Sequence, residues 1–405
     1  MKTRHQIFID KIFFYPIGWI LNIFVRIAGK LLRINHSLDR EFTKIAICKF
    51  KGFGSIIQST PMISAIKKRY PDCEIIFVSI NQNREILQQI KTIDTIFTIN
   101  DKKFSGLITS CFKTLILLIK KAPQVYIDLE IYSNFSTVFT ALTLSKNRIG
   151  FHLRSSSFRM GIYTHMMFFN YKAPISEVYL QIARLFGNIS EKPSLYPFYL
   201  NEDLPTGMLN KKYIVINPNA SDLRIERRWE KSKFITLIKQ ITQEYKDYTI
   251  YLIGSQSENP FNQSIKNELL SYDKVINMAG KTNILELIAL IKNSSFVITN
   301  DSGPMHIAFA CETPTICLFG PCSPEQYGFV RNTLIIYKRV YCSPCVHDFE
   351  IAPCKGNNVC MQLIEVDEVM HAIQQIMLSK ANGFVEENKI IYKSNNHILG
   401  LVNRP

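Results

Sequence analysis

The feature that most constrains this chain is a rhythm that starts twice. At Lys44–Phe50 a short apolar run, KIAICKF, ends in the turn Lys51-Gly52-Phe53-Gly54. Helical spacing follows at Ile56, Ile57, Met62, Ile63 and Ile66, and a second apolar run covers Glu74–Ser79. Strand, glycine turn, helix and strand make a βαβ unit, and its second strand runs parallel to the first. Thr95–Ile99 and Val125–Leu129 read as further strands, with a helix over Phe112–Lys120 between them. The pattern lapses over about 150–210, where prolines recur, and restarts at Lys212–Pro218. From there Phe234–Tyr245 and Leu285–Lys292 read as helices, and Thr249–Ile253, Val275–Met278, Phe296–Thr299 and Thr315–Phe319 as strands. Another helix begins near Pro304. Two doubly wound, Rossmann-like α/β domains are expected, divided near residue 200. The length agrees, because 405 residues exceed one ordinary core. Open sheets bind ligands at the carboxyl ends of their strands, so the two domains are expected to face a central cleft.

The first 40 residues stand outside that rhythm. Ile12–Leu32 is mostly apolar, with Lys2, Arg4 and Lys11 before it and Arg26, Lys30 and Arg33 within or after it. A spanning helix needs roughly 20 apolar residues without charge, and Pro16 and Arg26 interrupt this one. No small-residue cleavage site follows, which speaks against a secretory signal. Three placements remain: a helix in the membrane interface, with aromatics among acyl chains and cations at headgroups, a helix packed on the protein's own core, and a true span. The formal net charge of +15 calls for an acidic partner or reflects a basic solvated surface. The lysines are dispersed rather than interleaved with aromatics, so no nucleic-acid partner is expected.

Four clusters are able to carry chemistry. The first is Val297-Ile298-Thr299-Asn300-Asp301-Ser302-Gly303-Pro304-Met305-His306, a strand running into a helix start. Gly303 permits close approach and Pro304 opens the helix. First-turn N–H groups and the positive end of the helix dipole would hold a diphosphate. A plain strand–helix turn capped by Asp301 or Ser302 is the competing reading, but it leaves His306 unexplained. The second cluster is Asn217-Pro218-Asn219-Ala220-Ser221 with Arg224, Arg227, Arg228 and Trp229. Its arginines suit the charge of a phosphate leaving group, or form a solvated run ahead of an amphipathic helix. The third, Lys49–Ser55, lacks the last glycine of a dinucleotide fingerprint, so a nicotinamide cofactor is not expected. The fourth is Cys342-Ser343-Pro344-Cys345 with Cys354, Cys360 and His347. Zinc, a disulfide and free thiols all fit it. The scatter of the ten cysteines suits a reducing compartment.

In these residues the chain resembles glycosyltransferase family 9, which contains the lipopolysaccharide heptosyltransferases. The resemblance runs from about Lys44 to about Ile373. It is carried by Lys49–Pro61, by Val125–Glu130, by Asn217–Ser221 with Arg227-Arg228-Trp229, and by Met278–Thr282 through Asn300–His306 to Leu318–Pro321. It implies a GT-B fold with an acceptor-binding domain over 41–200 and a nucleotide-sugar-binding domain over 201–380, flanked by the extension 1–40 and a tail, 381–405. It further implies transfer of a heptose or related sugar, with inversion, from a nucleotide diphosphate donor to a lipopolysaccharide or other glycan acceptor. The setting implied is cytoplasmic, peripheral on the inner face of the bacterial inner membrane, with an anionic membrane surface as partner. Neither a cofactor nor a metal is required. Ser221 and Arg227 match positions near the phosphates, Glu258 the ribose, and Asp301, Ser302, Gly303 and His306, with Pro304 and Met305 between them, the diphosphate and sugar. The family's glycine turn ends in Gly-Asp, where the Asp resembles a general base. Here the pair is Gly54-Ser55, and a serine hydroxyl is too weak a base. Catalysis is then expected to involve Glu130 or Asp128 beside Ser55, or to rest on leaving-group stabilisation. The alternative is a catalytically silent nucleotide-sugar or glycan-binding homologue.

Overall fold

The computed structural model describes residues 8–152, 157–187, 212–220, 222–328, 332–346, 352, 354 and 356–381. The chain divides into two compact units, Met1–Tyr196 and Pro197–Pro405. The expected linker near residue 200 and the tail after 381 lie outside the described residues.

The first unit opens with a short π-helix, Asp10–Phe14, which continues into α1 (Tyr15–Leu32). Then follow β1 (Lys44–Cys48), α2 (Phe53–Gln58), α3 (Thr60–Arg69), β2 (Glu74–Ile80), α4 (Arg84–Gln88), β3 (Thr95–Ile99), α5 (Phe104–Lys121), β4 (Val125–Asp128), α6 (Asn134–Leu142), β5 (Asn147–His152), α7 (Arg159–Ile162), β6 (His165–Phe168) and α8 (Ile175–Arg184). The strands form one parallel sheet in the order β3-β2-β1-β4-β5-β6. Ile45, Ala46, Ile47 and Cys48 are wholly buried, as continuous apolar runs are when helices cover both faces of a parallel sheet.

In the second unit come β7 (Tyr213–Asn217), α9 (Lys231–Glu244), β8 (Thr249–Leu252), α10 (Asn259–Asn267), β9 (Val275–Asn277), α11 (Ile284–Lys292), β10 (Val297–Asn300), α12 (Gly303–Ala310), β11 (Thr315–Phe319), α13 (Pro324–Tyr327), β12 (Thr333–Tyr337), α14 (Val359–Gln362) and α15 (Val366–Ala381). The sheet order is β12-β11-β10-β7-β8-β9, again all parallel. Numbered from its own first strand, it repeats the first sheet strand for strand. Trp229 stacks edge-on against Phe234 at 4.9 Å beneath it, and its Nε1 donates to the Ile364 carbonyl at 3.0 Å.

The region in which the sequence rhythm lapses holds β5, β6, α7 and α8. β6 is four residues, HMMF, at a sheet edge and only partly buried, and so short an edge strand carries little periodicity. α5 begins two turns earlier than its apolar spacing suggests, and β12 and α15 extend the second unit beyond the strands read from sequence.

α1 docks on the first unit through a narrow strip. Asn22 Nδ2 donates to the Phe158 carbonyl at 2.6 Å, and Arg26 Nη2 to the Met160 carbonyl at 2.5 Å. Gly18 lies so close to the Phe158 ring that a Cβ has no room. Asp10 accepts from the backbone N–H groups of Asn134 (2.9 Å) and Phe135 (2.7 Å) at the first turn of α6, where a carboxylate complements the helix dipole. Helix Asp10–Leu32 is also long and apolar enough to cross a membrane by length and composition.

Candidate functional sites at the two switch points

In each sheet the strand order reverses beside the first strand, between β1 and β4 and between β7 and β10. Ligands of open α/β sheets bind outside the carboxyl ends of the strands at this point. Both main sequence clusters fall there.

At the second switch point β10 ends at Asn300, and Ser302, in extended conformation, is the N-cap of α12. Asparagines knit the loop to β7. Asn217 Nδ2 donates to Thr299 Oγ1 (2.9 Å) and Ser302 Oγ (2.6 Å). Asn300 Nδ2 donates to the Asn219 carbonyl at 3.1 Å, while its Oδ1 accepts from Trp229 N at 3.2 Å. Asn219 Nδ2 donates to the Ile253 carbonyl and to Asn262 Oδ1, both at 2.9 Å. The backbone is thereby fixed before any ligand arrives.

Asp301 and Arg227 face each other on this frame, Asp301 Oδ2 to Arg227 Nη1 at 3.5 Å. Asp301 is 3% exposed. Its Oδ2 and the Nε of Arg227 are buried without a hydrogen bond. Leaving such atoms unmatched costs about 1–3 kcal/mol each, so the pair is incomplete without something polar between or beside it. His306 lies one turn into α12, 6% exposed. Burial first, and Arg227 after it, push its imidazole down to about 4 against the opposing pull of Asp301, so it is neutral at pH 7. Ser302, Gly303 and Pro304 are half-exposed at the helix start, whereas Met305 is fully buried and its N–H donates to the Ser302 carbonyl at 3.2 Å.

The remaining residues singled out in this unit are spread along the same strand ends. Arg227 ends a short 3-10 turn, Asp222–Arg227. Glu258 follows β8 and closes a capping box, its Oε2 accepting from Ser255 N at 2.7 Å and Ser255 Oγ at 2.8 Å. A Cβ on Gly254 would meet Asn219 on one side and Glu258 on the other. Ser221 lies outside the described residues.

At the first switch point the polar groups satisfy one another. Glu130 Oε1 accepts from Phe50 N and Lys51 N, both at 2.7 Å, and Oε2 from Lys49 Nζ at 3.0 Å. Burial works against the Lys49 charge, but Glu130 outweighs it and holds the ammonium above its ordinary pKa. Asp128 is wholly buried. Its Oδ1 accepts from Glu130 N at 2.8 Å, and its Oδ2 from Tyr163 OH at 2.6 Å. Burial raises its pKa, partly offset by the Tyr163 hydroxyl. Gly52 takes a left-handed φ of 84°, and a Cβ there would meet the Ser55 hydroxyl at 3.0 Å. Ser55 is half-exposed in the first turn of α2.

Sequence reasoning missed Lys49 as the counter-ion of Glu130 and missed the asparagine frame. The signal for the frame was available: Asn217, Asn219 and Asn300 all sit where strands end, the place at which side-chain amides substitute for backbone partners. The ten cysteines are free thiols. Among the described residues no three His, Cys, Asp or Glu side chains are arranged to hold a metal ion.

Comparison with known proteins fits this geometry. The family model described as glycosyltransferase family 9 (heptosyltransferase) matches residues 142–355. Lipopolysaccharide heptosyltransferase 1 of Campylobacter coli is 28% identical over 308 residues, 71% of this chain and 87% of that protein. Lipopolysaccharide heptosyltransferase 3 of Escherichia coli is 24% identical over 348 residues, 82% of this chain and 98% of that one. The solved structure of E. coli ADP-heptose lps heptosyltransferase II superposes with a TM-score of 0.69 at 19% identity, covering 84% of this chain and 99% of its own. With two Rossmann-type sheets of the GT-B class and a family match over more than half its length, the chain belongs to glycosyltransferase family 9 and is a glycosyltransferase.

Proposed function

We propose that the protein transfers a heptose, with inversion, from a nucleotide diphosphate donor to a lipopolysaccharide-type acceptor. The observation that carries this reading is the incomplete pair Arg227–Asp301 at the start of α12. Two buried polar atoms there make no hydrogen bond, and the helix N-terminus beside them favours negative charge. The donor completes this arrangement, its phosphate oxygens accepting from Arg227 and a hydroxyl of its sugar donating to Asp301. The guanidinium of Arg227 and the N–H groups of α12 neutralise the charge that develops on the leaving diphosphate, Asp301 orients Arg227, and neutral His306 donates or accepts a hydrogen bond at the sugar. Ser302 and Gly303 present backbone N–H groups to the phosphates, while Pro304, which has none, opens the helix and Met305 packs behind them. Glu258 and Ser221 complete the nucleoside and phosphate contacts. ADP is the nucleotide proposed, by likeness to the E. coli enzyme whose name specifies ADP-heptose.

On the acceptor side Lys49 and Glu130 fix the glycine turn, Asp128 braces β4 from behind it, and the Ser55 hydroxyl orients the incoming acceptor hydroxyl. The bond to the anomeric carbon forms as the diphosphate leaves. The acceptor oxygen becomes strongly acidic only once it carries that third bond, so its proton departs late, to the leaving diphosphate or to water, and no strong base is required at residue 55. Leaving-group stabilisation then supplies most of the rate. The enzyme works peripherally at the cytoplasmic face of the inner membrane, a seat that the apolar N-terminal helix and the net charge of +15 favour.

Purified protein is incubated with ADP-heptose, GDP-mannose and UDP-N-acetylglucosamine, each with lipopolysaccharide stripped of its heptoses. The expected outcome is release of ADP and growth of the acceptor by one heptose mass with the first donor. Release of no nucleotide from any donor, with no change in melting temperature on adding ADP, would overturn the reading.

A further inference from the structure

The two faces of the first sheet are clothed differently. Right-handed crossovers place α5 and α6 on one face and α3 and α4 on the other. The core agrees, since Leu107, Cys111 and Leu115 of α5 and Phe135 and Phe139 of α6 pack into one cluster. α1 joins this face through Asp10 at α6 and through the Phe14–Phe135 ring contact at 5.1 Å. Among the described residues, α3, α4 and α8 expose no large hydrophobic side chain. On the opposite face α5 exposes Ile108, Phe112, Ile116 and Ile119, spaced three or four apart along one side of the helix, and α1 exposes its apolar side.

α1 is inside out for a water-soluble protein. Its buried residues are Gly18 and Asn22, with Arg26 bonded one turn further on, while Ile20, Phe24, Ile27 and Leu31 are each more than half exposed. The docking contacts from Phe14 to Arg26 run along roughly 18 Å of helix. A helix held sideways over that length cannot cross a bilayer without giving them up, so α1 lies along the surface rather than through it.

We infer that the apolar sides of α1 and α5 form one lipid-facing surface, seated together in the headgroup region of an anionic bilayer. Charge selects this occupant. α5 carries no acidic residue, bears Lys113, Lys120 and Lys121 and follows Lys102 and Lys103, and from Lys11 to Arg33 there is no acidic residue either; Asp101 and Asp10 stand just before these segments, and Asp10 is already bonded to the first turn of α6. A second copy meeting this face would set cations against cations, whereas anionic headgroups complement them. The inference rests on the proposed membrane seat and extends it to α5, which lies some 90 residues away in sequence.

The test uses full-length protein in flotation with vesicles of phosphatidylglycerol and phosphatidylethanolamine, and with phosphatidylcholine alone. Two double variants are compared, Ile20→Glu with Phe24→Glu on α1 and Phe112→Glu with Ile116→Glu on α5. All four positions are exposed, and unchanged melting temperature confirms folding. Wild type is expected to float with the anionic vesicles only, and each double variant to lose about tenfold in binding. If the α5 variant floats like wild type while the α1 variant does not, the joint surface is overturned and the membrane seat stands. If wild type fails to float with anionic vesicles, both fall. If wild type is a dimer in light scattering that the α5 variant dissolves, a second copy covers the face and the inference is overturned.

Discussion

The two switch points share one topology and differ in electrostatic completion. Beside β1, every oxygen of Glu130 and Asp128 accepts at least one hydrogen bond from the protein. Beside β7, Asp301 Oδ2 and Arg227 Nε are buried without one. Strand order alone marks both places as ligand sites. What separates them is which polar groups the fold leaves unmatched. A carboxylate answered by its own loop holds a shape, and one left unanswered awaits a partner.

The largest expected effect tests the complete side. Glu130 and Lys49 are paired with side chains 9% and 7% exposed, and removing one partner of a buried pair costs about 3–5 kcal/mol. Glu130→Gln should therefore lower the melting temperature and the turnover together. The double variant Lys49→Met with Glu130→Gln should recover part of the stability, because the amide still accepts from Phe50 N and Lys51 N and no ammonium is left unpaired. If Glu130→Gln keeps its melting temperature yet loses turnover along with the acid limb of the pH–rate profile, Glu130 takes the proton and the comparison breaks.

On the incomplete side, Arg227→Ala should weaken ADP binding and lower kcat/KM by about 10²–10³, the loss typical of a group that stabilises charge in the transition state. Calorimetry and steady-state kinetics measure the two effects. Stability without ligand should also fall, by less than in Glu130→Gln because the contact is longer and Arg227 is partly exposed, since the variant strands the buried Asp301 carboxylate. A large loss of stability with unchanged kcat/KM would make Arg227 a structural residue like Lys49.

His306 adds a pH dependence to that side. Its imidazole titrates near 6.5 when unfolded and at about 4 when folded. The folded pKa is depressed, so the unfolded chain binds the proton first. Stability is full above pH 6.5 and is lost as the pH falls from there toward 4. Between pH 7 and pH 5 the loss should be about 2 kcal/mol. His306→Gln should flatten this part of the stability curve in denaturant titrations at pH 5, 6 and 7. Bound ADP, by placing negative charge near the imidazole, should raise its pKa and shrink the acid loss.

How much of this was legible in the sequence depended on scale. The repeated strand–turn–helix rhythm revealed both sheets, because strands buried on both faces must be apolar throughout. It failed at β5 and β6, where Gly150 replaces a side chain under the Tyr163 ring and the edge strand is half-exposed. Asp301 and Arg227 were legible as residue types at a strand–helix junction, but their 3.5 Å pairing was not, since 74 residues separate them. Glu130 was legible as a candidate in catalysis, whereas its part as a turn anchor shows only in the positions of Phe50, Lys51 and Lys49 around it. The N-terminal segment kept three placements open from sequence, because composition says nothing about which side of a helix faces the protein.

The smallest predicted effect bears on Ser55. It stands in the first turn of α2, beside the left-handed Gly52. If its hydroxyl only orients the acceptor, Ser55→Ala removes one neutral hydrogen bond, worth about 0.5–1.5 kcal/mol, or about tenfold in kcat/KM at most. KM for the acceptor should carry most of that change, and the pH–rate profile should keep its shape. Ser55→Asp is the sharper variant. A carboxylate there would supply a base that the proposed late proton transfer does not need, so turnover should rise little while a new acid limb appears. A rise of a hundredfold or more would mean that proton removal limits the natural enzyme. The first switch point would then be incomplete too, lacking a base where the second lacks a ligand.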